Sequence, residues 1–377
     1  MKYWRGYLIA AIIFVITNII QKLAATYSDL VDMVYPYLTR TVQTFLAQWS
    51  GGMDFCVWQV AVVVLVLIAL ATVVLMIVLR WNPIQWLGWI LTGIACVSFL
   101  NTCIYGLNYH AGPLAHDIRL NVTEYTLEEL EQATVYYRDL ANDLADQVER
   151  DSNGDVAFPE FEVLALQAGE GFETLTYDYT YSVFAGSTLP VKKLGWADMY
   201  TSKGVAGKTV GATGEAAVNP EIPAVAMPFV MCREMSHRMC IANEEDSNFA
   251  AFLAGQANTD AAFQYSAYFM AYRYCYNALY EQGSADATTT AARIGTEVND
   301  NLKHDLEVYD RFFKKDKTST YSDSLVADLL VSWHIQEVVI PSQTDEETES
   351  VFDPYDESQV DLSGIVNAKV PTEESAE

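Results

Sequence analysis

Positive charge is scarce in this chain, and most of what exists is badly outnumbered. Twenty-two Lys and Arg stand against 49 Asp and Glu in 377 residues, a formal net charge of −27. The shortage is uneven: the first 106 residues are net +2, so the remainder carries −29. Phosphate backbones and anionic headgroups are bound through Lys and Arg, so a domain of this charge repels them and nucleic-acid binding is excluded. Cysteine is equally sparse, with six residues, of which Cys56, Cys96 and Cys103 lie in or beside apolar runs. Cys232 and Cys240, if they share a helix, sit about 12 Å apart along its axis, too far for a disulfide. No disulfide framework is expected. Histidine is rarer still, and His110, His116, His304 and His334 have no motif around them.

Long apolar runs are what the first third does contain. Residues 57–79 carry one amide and no charge, enough to cross about 30 Å of hydrocarbon. A second run covers 84–106 after the break "RWNP", and a third covers 7–23 with no small-residue cleavage site behind it. Three transmembrane helices are expected. Lys2 and Arg5 precede the first and Arg80 sits in the turn between the other two, which places these points in the cytoplasm. Lys22 and Arg40 fall on the opposite side. The expected organisation is a membrane region over 1–106, an extracytoplasmic domain over 107–340, and an acidic tail over 341–377. That tail has eleven Asp/Glu against one Lys and is expected to be largely disordered.

Between the first two runs, residues 24–55 read as an amphipathic helix packed near the membrane. Thr126 and Glu129 fit a capping box opening a helix over about 123–150. Residues 189–219, rich in Val, Gly and Thr, are the β-favouring part. Helices follow from Pro228, from about 245, over 261–282, over about 287–313, and from "YSDSLVADLL" onward. The stripe of Tyr265, Phe269, Tyr272 and Tyr276 reads as the face of a buried helix. Asp151, Asn153 and Asp155 mimic a calcium loop, but without its glycine and two residues short they read as a polar turn.

Inside "MPFVMCREMSHRMCIANEEDSNF" (227–249), "REMSH" is the zinc-peptidase signature H-E-x-x-H with Arg233 in place of its first histidine. In that signature two histidines four apart hold zinc from one helix face, and the Glu polarises the bound water. Glu234 and His237 stand in the right places. Seven residues after His237 comes Glu244 and four further on Asn248, a spacing that puts a carboxylate and an amide on one helix face. Arg has no lone pair and stays protonated, so Arg233 cannot be a ligand. At 100° per residue Cys240 lies about 60° from His237, which leaves a His237–Cys240–Glu244 set geometrically open.

With "TGEAAVN" (213–219), "PFVMCREMSH" (228–237), "EEDSNF" (244–249) and the late "TYSDSLVADLL" (320–330), the chain resembles a clostridial family of membrane proteins of unassigned function that look like zinc-dependent peptidases. The resemblance implies an α+β fold: three transmembrane helices, then a mostly helical zincin-like domain with a small β-sheet. It implies Glu234 as general base, His237 and Glu244 as metal ligands, and Asn248 behind them. Tyr321 is a weaker candidate for steadying an oxyanion, and "TGEAAVN" would be the strand that holds a peptide. The family usually has a turning glycine where this chain has Cys240. Arg233 in place of a ligand makes Glu234 and the ligands vestigial, with the guanidinium substituting for the missing cation. The spacing leaves open whether Glu244, Glu245 or Asp246 points inward.

Three functions follow from these residues. The leading expectation is a membrane-anchored, extracytoplasmic pseudo-peptidase that binds a peptide or protein partner and no metal. The second is a working zinc peptidase with the repaired His/Glu/Cys set. The third is a structural envelope protein without a cleft function.

Overall fold

The computed structural model describes residues 2–177, 179–313 and 323–339; Tyr321 and the acidic tail lie outside them. Four long helices open the chain: α1 (Arg5–Thr26), α2 (Ser28–Gly51), α3 (Val57–Val78) and α4 (Pro83–Ile104). Three of them, α1, α3 and α4, are long and apolar enough to cross a membrane, which suggests membrane anchoring. They cover the three expected runs to within a few residues. α1 lies along α4, where Gly6 and Gly88 let the two backbones touch; a side chain on Gly6 would strike the Gly88 carbonyl. Asn82 starts α4 by accepting from the N–H groups of Ile84 and Gln85, and Pro83 at the first position needs no such partner.

The rest is mostly helical: α5 (Leu114–Asp117), α6 (Leu127–Ala145), α7 (Phe161–Gln167), α8 (Glu170–Tyr177), α9 (Ala197–Thr201), α10 (Met227–Arg238), α11 (Glu244–Ala257), α12 (Ala261–Glu281), α13 (Ala285–Gly295), α14 (Asp300–Phe313) and α15 (Asp323–His334). The capping box expected at Thr126 and Glu129 is formed at the start of α6. α12 is the axis of the domain, packed by α6, α11 and α15. Tyr265, Phe269 and Tyr272 are buried on it, as the three- and four-residue spacing predicts, and Tyr276 is partly buried. The helix expected over 287–313 is two helices. Asn299 accepts the N–H of Leu302 through its side chain and so begins a fresh helix at α14.

The expected β region contributes three short strands, β1 (Lys192–Lys193), β2 (Gly207–Val210) and β3 (Glu215–Val218), in the order β1-β3-β2. β3 is paired on both sides, parallel to β1 and antiparallel to β2. The "TGEAAVN" strand is therefore internal and has no edge to offer a peptide. Glu215 within it is buried and serves a different purpose. Its carboxylate accepts from the N–H groups of Val57 at 2.7 Å and Trp58 at 2.9 Å, capping α3, and pairs with Lys192 at 2.8 Å.

Candidate functional site

α10 lies beneath the sheet, and nearly all of it is buried. Arg233 and His237, four apart, share one face of this helix with Glu234 beside them. The Arg233 guanidinium pairs with the Glu234 carboxylate, Nη2 to Oε1, at 2.8 Å. Glu234 is 3% exposed at its side chain and Arg233 21%, so the pair is largely buried and Arg233 does not lie free on the surface. Burial works against the charge on Arg233, but the carboxylates of Glu234 and Glu244 outweigh it and raise its pKa. Glu234 has a second partner on β2: the Thr209 hydroxyl lies 2.8 Å from both its carboxylate and its main-chain carbonyl. Gly207, two residues earlier on the same face of β2, leaves room for this carboxylate; a Cβ there would stand 2.6 Å from Glu234.

His237 is held from behind. Its Nδ1 lies 2.9 Å from the carbonyl of Ile241, to which it donates, and Nε2 is turned toward Glu244. Nε2 stands 3.8 Å from Glu244, so of the three acidic residues 244–246 it is Glu244 that faces the histidine. Asp246 turns away and accepts the N–H of Leu114 at 3.2 Å, and burial pushes its carboxyl up to about 6. Asn248 supports Glu244 through the main chain: its amide donates to the Glu244 carbonyl at 2.7 Å, while the Tyr274 hydroxyl donates to Asn248 Oδ1.

Cys240 does not complete this group. α10 ends at Arg238, so extrapolating its helical rotation to Cys240 fails. The N–H of Cys240 bonds the His237 carbonyl and the N–H of Ile241 bonds that of Ser236, the paired bonds of a Schellman stop. Cys240 is the left-handed residue of that stop, at φ 74°, which is where a glycine is expected. Its thiol lies against Thr39, Asn108 and Arg40, and burial raises its pKa. Among the described residues no three of His, Cys, Asp and Glu stand close enough to hold one ion. The donors at the site are His237 and Glu244, and the position of a third is filled by a guanidinium. These residues do not fit a zinc ion.

Elements from the first third of the chain also hold the site in place. Tyr105, the first residue after α4, donates its hydroxyl to the His237 carbonyl at 3.0 Å, and burial raises its pKa well above the usual range. Arg40 of α2 donates to the Met239 carbonyl at 3.2 Å, and Gln43 of α2 to the Gly211 carbonyl at 2.9 Å. Arg238 donates to the carbonyls of Ser187 and Leu189, and burial lowers its pKa to about 10. Thr209, Gly207 and Tyr105 were invisible to motif reading, because each reaches the site from a segment with no catalytic signature of its own, and Arg238 because its partners, the carbonyls of Ser187 and Leu189, are distant in sequence.

The family described as "Protein of unknown function (DUF3810)" matches residues 31–330, and the chain belongs to it. The match takes in most of α2, all of α3 and α4, and every described element of the site. Comparison with curated proteins and with solved structures finds no match. The family has no assigned activity, so the match itself speaks neither for a zincin-like fold nor for a clostridial source.

Proposed function

We propose that this chain is a membrane-anchored, zincin-like pseudo-peptidase that holds an extended segment of a peptide or protein partner along the free edge of β2 without hydrolysing it. The observation that carries the reading is the Arg233–Glu234 ion pair beneath that edge. In a hydrolytic site of this geometry Glu234 would be the general base and would need its carboxylate free to polarise water. Here both oxygens are engaged, one by Arg233 and one by Thr209. The guanidinium supplies the positive charge that keeps two carboxylates from facing each other uncompensated, and it offers no coordination site.

The binding half of the reading rests on strand geometry. Asn219 donates to the Ala206 carbonyl, and Lys208 lies opposite Ala217. Even-numbered residues of β2 therefore bond β3, and the main-chain groups of Gly207 and Thr209 turn to the open side. Neither has a main-chain partner there among the described residues. An extended peptide could add to this edge by main-chain hydrogen bonds. The distribution of Lys2, Arg5 and Arg80 supports an extracytoplasmic position for the domain.

A photo-crosslinking residue at Lys208, on the open edge, tests the reading in native membranes. The expected result is a discrete polypeptide adduct that keeps its size on incubation and is not formed from a matching probe at Thr289 on α13. A chelator-sensitive loss of adduct size would return the chain to the working peptidases. No adduct at Lys208 would leave a structural protein without a cleft function.

A further inference from the structure

The polarity of α2 is inverted. Its buried side carries Thr39, Arg40, Gln43, Ala47 and Ser50, all less than 9% exposed. At 100° per residue the opposite side carries Leu30, Tyr37, Leu38, Phe45 and Trp49, each between 53% and 66% exposed. That outer face bears no charged side chain between Leu30 and Trp49, since Asp32 is partly buried on Gly112 and Arg40 is turned inward. A helix in water places its apolar stripe on the core and its polar stripe outside. An outward face of this size and polarity is the arrangement of a surface that meets something apolar.

The placement of α2 identifies what that is, given that α1, α3 and α4 are membrane spans. One residue, Tyr27, separates α2 from the end of α1. Tyr35 of α2 donates its hydroxyl to the carbonyls of Thr102 and Cys103 at the end of α4. At the other end, Lys192 bonds the Ser50 carbonyl of α2 and the Glu215 carboxylate that caps the start of α3. α2 is 24 residues long, about 36 Å at the helical rise, and it is tied to the same-side ends of all three spans: to α1 by chain, to α4 by Tyr35, and to α3 through Lys192 and Glu215. It therefore runs along that side of the bilayer and does not cross it. At both ends α2 is flanked along the chain by exposed apolar residues, Leu23 and Tyr27 at the α1 end and Phe55 before α3.

We infer that α2 is an in-plane helix whose Leu30-to-Trp49 face is seated in the bilayer interface, with acyl chains and the headgroup boundary as its occupant. Tyr37 and Trp49 on that face are the residue types that settle at the headgroup level. The inward row of Arg40, Gln43 and Thr39 then anchors the domain to the membrane surface through hydrogen bonds to Met239, Gly211 and Asn108.

The test uses the full chain in phosphatidylcholine nanodiscs, with the exposed Cys96 and Cys103 replaced by Ala and single spin labels introduced by Leu38→Cys or Phe45→Cys. Collision with dissolved oxygen and with a water-soluble nickel chelate is compared at each label. Oxygen should dominate at both positions, as at a reference label on Leu67 of α3, and the order should reverse at Thr289 on α13. Nickel dominance at Leu38 and Phe45 would place the face in water and overturn the inference. Protection from both reagents with spin–spin broadening would mean that a second copy of the chain covers the face, and would overturn it equally.

Discussion

At position 233 a single exchange of His for Arg separates two kinds of chemistry. Imidazole presents a lone pair to a metal; guanidinium presents five donors and a permanent charge. The Glu234 carboxylate is buried and depends on Arg233 and Thr209 for its hydrogen bonds. Arg233→Ala should therefore destabilise the protein. Breaking a fully buried pair from one side costs roughly 3–5 kcal/mol. Because Arg233 is 21% exposed, the expected loss is nearer about 2 kcal/mol, read as a lowered melting temperature in detergent. Arg233→His should also destabilise without metal, but it restores two imidazoles on one face beside Glu244. Zinc should then raise its melting temperature, since a ligand bound only to the folded state stabilises by mass action, and should leave wild type unmoved. If Arg233→Ala melts like wild type and Arg233→His ignores zinc, the ion pair contributes nothing and the pseudo-peptidase reading loses its support.

Between elements, the join that matters most is Glu215. Its carboxylate meets two N–H groups and one ammonium, linking the central strand of the sheet to the first turn of α3. Glu215→Ala leaves Lys192 uncompensated and two helix N–H groups without acceptors, and should cost on the order of 3–5 kcal/mol. Replacing both Glu215 and Lys192 by Met should recover part of that loss but not all, because the N–H groups of Val57 and Trp58 stay unpaired. A double change that recovers nothing would assign the whole effect to the helix cap. Such joins also mark where sequence reading stops. α10, α11 and α12 were legible because their apolar spacing and the first-turn carboxylates of α11 are local signals. That Arg233 would stand in for the cation was legible from the motif, but not that its partner would be Glu234. Glu215 read as part of a peptide-holding strand because its real partner is 158 residues away. Cys240 read as a possible ligand because the end of α10 is set by a Schellman stop, which a uniform helical rotation ignores.

For the molecule as a whole, the first expectation is sidedness. A cysteine in place of Thr289, exposed on α13, should react with a membrane-impermeant maleimide in intact cells. Reaction only after lysis would put the domain in the cytoplasm and reverse the orientation read from Lys2, Arg5 and Arg80. The second point concerns the order of assembly. The two carbonyls that close α10, those of His237 and Met239, are bonded by Tyr105 and Arg40, residues that leave the ribosome more than a hundred positions before them. During synthesis the N-terminal part of a chain is available first. By the time α10 emerges, α1 to α4 can already be inserted, and the helix closes on partners already in place. Without these N-terminal elements the carbonyls of His237 and Met239 lose both partners, so the geometry around Arg233, Glu234 and His237 depends on the helices made first. The opening helices thus act as a template on which the end of α10 closes.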